Sequence, residues 1–481
     1  MPSIARTTLF TVISDLLMLM AIISLCLGAR YLLGGQINLK MYDAIFLSIL
    51  LAVPIYAAVG LYPPMLLSSP EILRRFTYGT TFFFLVIFTL TFFFRTAENY
   101  SRLALFCAWA LALALMPVWR GIIKRLFSKY AWWGKEIILC GSREWLDKTV
   151  KHLFGETALG LKPCAVVLME ENDGQRPCPA EMEFELCLGL NKKRSVKLPV
   201  VEIEKLPEAS VRFNSPYALM SLHSLSPQAR EDMAKLAGNF KKTFFVFSFL
   251  GNLNCWSGMA NLSGELALET RQKLLDTHRQ CVKRLIDLLL SLLGAFAFIP
   301  ATLIIALLIK KEDGGPVFYA HTRIGRGGKE IKILKFRTMV MNADKVLKDC
   351  LAKNPAMAKE WEENHKLKND PRITGIGRFL RKTSLDELPQ VWNVVKGELS
   401  FVGPRPIVED EVRKYGEDGF ELYKRVLPGL TGYWQVSGRS NTSYEQRVAL
   451  DSFYIRNWSV WLDIYIIACT PRALLRTGDA C

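Results

Sequence analysis

A chain of 481 residues is too long for one ordinary domain and reads as two or three. Its composition is 51% hydrophobic with a mean hydropathy of +0.18, and the apolar excess is gathered in residues 1–127 and 285–309. A formal charge of +16 suits anionic partners such as lipid head groups, phosphates or nucleic acid, while eleven cysteines without a CxxC spacing and five scattered histidines argue against a zinc site or a disulfide framework.

Four apolar stretches, near 9–28, 44–62, 76–94 and 103–119, each approach the length that crosses a bilayer, so residues 1–130 are expected to form a four-helix transmembrane bundle. The first lacks a small-residue cleavage pattern and is followed by more spans, which argues against a removable signal peptide. Under this threading Arg6, Arg74, Arg75, Arg120, Lys124, Arg125, Lys129 and Lys135 share one side, and Arg30, Lys40, Arg95 and Arg102 the other. Eight against four puts both ends of the bundle in the cytoplasm. Asp15, inside the first span, is either a functional polar group or a residue near an interface or paired within the bundle, and the second is the commoner fate.

Residues 131–265 are soluble in character and α/β. EIILC (136–140) reads as a buried strand, followed by Gly141-Ser142 and a helix to about His152. CAVVLME (164–170) reads as the next strand, 226–240 as a helix opened by Ser226-Pro227, and KTFFVFSFL (242–250) as a closing strand. Such alternation predicts a small Rossmann-like sheet. The first turn, CGSREW, lacks the glycines of a dinucleotide fingerprint, so packing, assembly or regulation is the expected role.

Residues 266–481 begin with a fifth apolar run, Leu285 to Ile309, 25 residues long. Lys283 and Arg284 precede it and Lys310 and Lys311 follow, and positive charge at both ends favours both ends on one face. Pro300 removes a backbone donor and clashes with the preceding turn. The expectation is a helix over about 281–310 that enters the membrane, kinks at Pro300 and returns. An ordinary fifth span is the alternative, and it would put everything downstream outside the cell.

Further on, 316–339 reads as two strands joined by a turn with Gly325, Gly327 and Gly328, and Lys335 and Arg337 alternate on one strand face where they can point at phosphate. Residues 343–368 read as a charged, solvated helix. TSLDELPQ (383–390) sets Asp386 and Glu387 side by side, with Arg381 before them and Val402-Gly403-Pro404-Arg405-Pro406 after. A carboxylate that attacks a phosphate while cations hold the negative charge needs this combination. Pro404 and Pro406 stiffen the loop that presents Arg405. Residues 451–467 are amphipathic, with tryptophans suited to a membrane interface; Trp434, Trp458 and Trp461 read as packing or interfacial groups.

KFRTM, LRKTSLDELPQ, LSFVGPRP, PGLTGYWQVSGR and YIRNWSVWLDI, in this order, resemble the bacterial sugar transferases, monotopic phosphoglycosyl transferases that start glycan assembly on polyprenyl phosphate. The resemblance covers about 275–475; the spans and α/β segment ahead of it look like the large, galactose- or glucose-phosphate-transferring branch. It implies an α+β membrane protein of the bacterial inner membrane, with its soluble domains on the cytoplasmic face. It also implies Mg²⁺, a UDP-sugar donor and undecaprenyl phosphate as acceptor. Carried onto this chain, it makes Asp386 the nucleophile that forms a phosphosugar–aspartyl intermediate and expels UMP. Glu387 helps hold Mg²⁺ or balances proton and charge; as metal ligands the resemblance offers Asp386 and Glu387. Arg381, Arg405 and Lys335 are the expected phosphate cations, with Arg337 and Arg439 behind them. The rivals are a sugar-only glycosyltransferase releasing UDP and a catalytically dead assembly protein. A nucleic-acid partner is not expected, since the basic residues flank membrane segments and the acidic site. Four spans and an extra soluble domain suit a homodimer.

Overall fold

The computed structural model describes residues 3–34, 46–65, 67–93, 101–130, 132–155, 160–169, 180–187, 193–201, 217–221, 240, 242–246, 258–262, 265–269, 274, 276–354, 357, 367, 370–437 and 442–475. The chain divides into two compact units, Met1–Gly251 and Asn252–Cys481.

In the first unit three helices are long and apolar enough to cross a bilayer: α1 (Ser3–Leu32), α3 (Ser69–Phe93) and α4 (Arg102–Phe127). The second expected span takes another form among the described residues. It is the short apolar helix Phe46–Ala58, whose last part is α2 (Ala52–Ala58), and it stops where Gly60 turns to φ +81° ahead of Pro63-Pro64. Asp15 of α1 is paired within the bundle. It forms an ion pair with the fully buried Arg120 of α4, accepts from Tyr62 Oη at 2.8 Å, and Arg120 lies over the rings of Tyr62 and Phe76. The functional reading of Asp15 therefore gives way to a packing one: a charge in an apolar bundle stays only with such partners.

Thr7 ties the bundle to the segment leading into the first strand, donating to the Trp132 carbonyl and accepting from Gly134 N. Strands β1 (Lys135–Gly141), β2 (Leu161–Leu168), β5 (Tyr217–Ser221) and β6 (Lys242–Val246) then form a parallel sheet in the order β2-β1-β5-β6. Helix α5 (Arg143–Gly155) crosses from β1 to β2 and packs Leu146, Val150 and Leu153 on Ile137 and Leu139. Ile138 and Cys140 point the other way, against Ala165, Val167 and Met220. A strand buried on both faces explains the unbroken apolar run of EIILC. A hairpin, β3 (Glu181–Cys187) with β4 (Lys193–Pro199), adds to this unit. The helix expected at 226–240 lies outside the described residues apart from Phe240.

The second unit opens with the hairpin β7 (Gly258–Leu262) and β8 (Glu265–Glu269). Then comes α6 (Thr277–Asp313), longer than the expected 281–310 and helical through Pro300, so the proline is not a break in the helix. In apolar surroundings the backbone keeps its remaining bonds rather than open the helix. Its middle is bare of protein, with Phe296 86% exposed. Strands β9 (Phe318–Ile324) and β10 (Glu330–Phe336) pair antiparallel around the glycine turn, and α7 (Ala343–Lys353) follows; most of 354–369 lies outside the described residues. Helices α8 (Gly375–Thr383) and α9 (Gln390–Lys396), the parallel pair β11 (Ser400–Val402) and β12 (Gly429–Thr431), and α10 (Glu409–Lys424) complete the frame with α11 (Tyr433–Ser437). The expected amphipathic segment 451–467 is two helices, α12 (Tyr444–Asn457) and α13 (Val460–Leu475). Trp458 between them is buried with its indole N–H on Asp463 at 3.0 Å, which makes it a packing residue rather than an interfacial anchor.

Candidate active site

The acidic pair sits in the sharp connection between α8 and α9. Thr374 caps α8, its Oγ1 accepting from Gly377 N at 2.9 Å. Gly377 lies so close to the strand exit that a Cβ would stand 2.2 Å from the Thr338 carbonyl oxygen. That approach lets Arg381, one turn on, donate from Nε to Thr338 Oγ1 at 3.0 Å. The helix ends at Ser384, which takes φ +55° without being glycine. Leu385–Glu387 then form one tight turn, and Pro389 starts α9.

Lys335, near the end of β10, reaches this turn with its Nζ 2.7 Å from Glu387 Oε1 and 3.9 Å from Asp386 Oδ2. The distance is fixed by Asn393 of α9. Its side chain accepts from Leu334 N at 3.0 Å and donates to the Lys332 carbonyl at 2.8 Å, pairing with the strand edge as another strand would. Burial raises the Asp386 carboxyl above its ordinary range; Lys335 and Arg381 pull it down and Glu387 pushes it up.

A narrow cleft of about 30 Å³ adjoins the pair, walled by Lys335, Glu387, Gln390, Arg323, Arg405 and Pro406 among others. Asp386 is not on that wall. Arg405 is held over Trp434, its guanidinium 6.0 Å from the ring. The loop that carries it is drawn tight at Gly403 and Gly429, where a Cβ on Gly429 would meet Gly403 N at 2.0 Å, and Pro404 accepts from Gly429 N at 2.8 Å. Behind Trp434 lies a buried network: Arg447 stacks on Trp434 at 4.8 Å, and Asp451, pushed up to about 6 by burial, accepts from Tyr415 Oη at 2.6 Å.

Lys335, Glu387 and Arg405 thus line one cleft, with Asp386 and Arg381 beside it. Arg337 does not join them. The strand ends at Phe336, the alternation with Lys335 lapses, and the Arg337 guanidinium pairs with Asp313 at the end of α6. Arg439 lies outside the described residues. Sequence reasoning missed His321 and Arg323, which line the cleft from β9. The signal was present: Tyr319, His321 and Arg323 alternate opposite Lys335, Ile333 and Ile331. Gln390 and Gln435 carried no such signal.

Among the described residues no three or more His, Cys, Asp or Glu side chains gather as a metal site. Asp386 and Glu387 supply two adjacent carboxylates, and Mg²⁺ is commonly held by one or two carboxylates with substrate phosphates completing its shell.

Paired carboxylates among cations suit phosphate chemistry, and the long apolar helices suit a membrane protein. The family profile for bacterial sugar transferases matches residues 278–477. The chain is 35% identical over 429 residues to the undecaprenyl-phosphate galactose phosphotransferase of Salmonella typhimurium, covering 85% of this chain and 84% of that protein. It is 35% identical over 383 residues to the UDP-galactose-lipid carrier transferase of Erwinia amylovora, covering 79% and 76%. It is also 49% identical over 198 residues to the exopolysaccharide production protein ExoY of Sinorhizobium fredii, covering 41% of this chain and 87% of that one. This chain belongs to the bacterial sugar transferase family.

Proposed function

We propose that the enzyme transfers hexose-1-phosphate, with galactose first and glucose second, from a UDP-sugar to undecaprenyl phosphate and releases UMP. This would be the first membrane step of an O-antigen, capsule or exopolysaccharide. The carrying observation is the Asp386–Glu387 pair drawn around Lys335 beside a cleft walled by Arg323 and Arg405.

In the first half-reaction an Asp386 oxygen attacks the phosphorus that bears the sugar; the bond to UMP breaks and UMP leaves with its electron pair. In the second, an oxygen of undecaprenyl phosphate attacks the same phosphorus and the bond to Asp386 breaks, giving undecaprenyl-diphospho-sugar and the free carboxylate. Splitting the transfer lets a water-soluble donor and a lipid acceptor use one site in turn. Lys335, Arg381 and Arg405 stabilise the phosphate charge, with Arg439 as a further cation. Asp386 and Glu387 would hold Mg²⁺, which when bound neutralises diphosphate charge.

The reading includes a helix α6 that leaves the membrane on the face it entered. At its head Arg284 donates to the Val394 and Val395 carbonyls; at its tail Ile305 and Ile309 pack in a cluster that includes Leu388. Leu388 and Val394 are about 9 Å apart along a helix, whereas a straight helix would part Arg284 from Ile309 by about 37 Å. A bend at Pro300 reconciles the two. The same reading makes the parallel sheet a Rossmann-like domain within 131–265, between bundle 1–130 and catalytic domain 266–481, and makes the enzyme a homodimer of the inner membrane with its soluble parts in the cytoplasm.

The test is nucleotide release by purified protein with Mg²⁺, undecaprenyl phosphate and a panel of UDP-sugars, beside Asp386→Asn. UMP with one sugar, lost in the variant, is the expected result. UDP as direct product, or undiminished UMP from the variant, overturns the reading.

A further inference from the structure

A second cavity in the Asn252–Cys481 unit holds about 520 Å³ and shares no lining residue with the acidic cleft. It lies at the head of α6 and draws Lys283, Arg284, Arg326, Lys329 and Arg425 to its wall against one carboxylate, Asp287. Three of these cations are already engaged. Lys283 pairs with Asp463 at 2.8 Å, Arg284 donates to two backbone carbonyls, and Arg326 donates to Gln280 Oε1 at 2.9 Å. Lys329 and Arg425 have no acidic partner among the described residues. With five cations against one carboxylate among the described residues, the cavity presents net positive charge that favours an anion.

Asp287 is 98% buried; its Oδ1 accepts from Ser400 Oγ and Phe401 N, each at 3.0 Å, yet Oδ2 is buried with no hydrogen-bond partner among the described residues. Oδ2 is closed off from the cavity, so Asp287 acts as a wall that anchors the head of α6 to Ser400 and Phe401. The place of the cavity narrows the choice of ligand. The apolar run starts at Leu285, directly after Arg284, and Leu285, Leu289 and Leu292 are exposed. Leu274, Val426 and Leu427 make part of the wall apolar. Cationic and apolar surfaces therefore meet where the helix passes from water to hydrocarbon.

We propose that this cavity takes the head group of a bilayer phospholipid, with its phosphate on Arg326, Lys329 and Arg425 and its acyl chains along the exposed leucines. The inference rests on α6 lying in the bilayer and not on the sugar chemistry, so the two fail separately. The test is native mass spectrometry of the full chain released from mixed nanodiscs of phosphatidylglycerol, phosphatidylethanolamine and phosphatidylcholine. The wild type is expected to keep a single phosphatidylglycerol or phosphatidylethanolamine. Lys329→Gln with Arg425→Gln is expected to lose retention by about tenfold or more, while Lys329→Arg with Arg425→Lys and the separate Asp386→Asn keep it. A melting temperature and a circular-dichroism spectrum like the wild type's show that the double variant is folded. Unchanged retention in the glutamine variant overturns the proposal. Displacement by inorganic phosphate alone would mean a soluble-anion site, and preferential displacement by undecaprenyl phosphate an acceptor site; either also overturns it.

Discussion

With Nζ 2.7 Å from Glu387 and 3.9 Å from Asp386, the Lys335 side chain sits against both carboxylates. The proposed attack needs Asp386 ionised; burial raises its pKa and Lys335 is the largest influence pulling it back. Lys335→Met is therefore expected to move the acid limb of the pH–kcat/KM profile upward; an unmoved limb would separate that limb from Asp386. The same raised pKa makes a stability statement. A carboxyl whose folded pKa exceeds its unfolded one costs stability in its ionised form, and that cost enters as pH rises through the folded value. Asp386→Asn is then expected to melt at or above the wild-type temperature at pH 7.5, with the gap closing near pH 4. A lower melting temperature at pH 7.5 would contradict the assigned direction. The acidic pair and the cations Lys335, Arg381 and Arg405 were legible because chemistry-bearing residues cluster in sequence as well as in space. Asn393 was not, because its work is to satisfy the edge of a strand sixty residues earlier in the chain, and nothing local marks that.

Among the elements, α6 carries the most consequence. Lys283, Arg284 and Asp287 at its head and Glu312 and Asp313 at its tail all bond within the same unit. Cys281, exposed just before the apolar run, is a native reporter for one end, and Lys311→Cys supplies the other in a background without the remaining cysteines. Both are expected to react with an impermeant maleimide from the cytoplasmic side only; reaction from opposite sides would make α6 an ordinary span. Charge at both ends of the run was readable in the sequence, but the unbroken helix at Pro300 was not, since a proline fixes one φ and one missing donor rather than the fate of a helix in lipid. The strand EIILC was legible for the opposite reason, its apolar run matching burial on both faces. In the stretch 44–62 the described helix ends at Ala58; hydropathy counts apolar residues and ignores the glycine at 60.

For the whole molecule the question is how much of the chain the chemistry needs. Lys335, Arg381, Asp386, Glu387 and Arg405 all lie in the Asn252–Cys481 unit, as does α6, which is long and apolar enough to cross a membrane. Its clusters close on themselves: Tyr454 Oη bonds the Val402 carbonyl and Asp463, and Asp463 returns to Lys283 of α6. The protein from Sinorhizobium fredii is matched over 87% of its own length by 198 residues of this chain, so a relative exists with little beyond such a unit. A chain starting at residue 252 is therefore expected to insert into membranes and to release UMP from the same UDP-sugar as the full protein, within about tenfold in kcat/KM. That tolerance, about 1.4 kcal/mol at the transition state, covers small losses of positioning. A truncated protein that inserts and keeps its fold but releases no UMP would mean that the first 251 residues contribute to the site itself. Activity retained with a broadened choice of UDP-sugar would instead give those residues a part in selecting the donor.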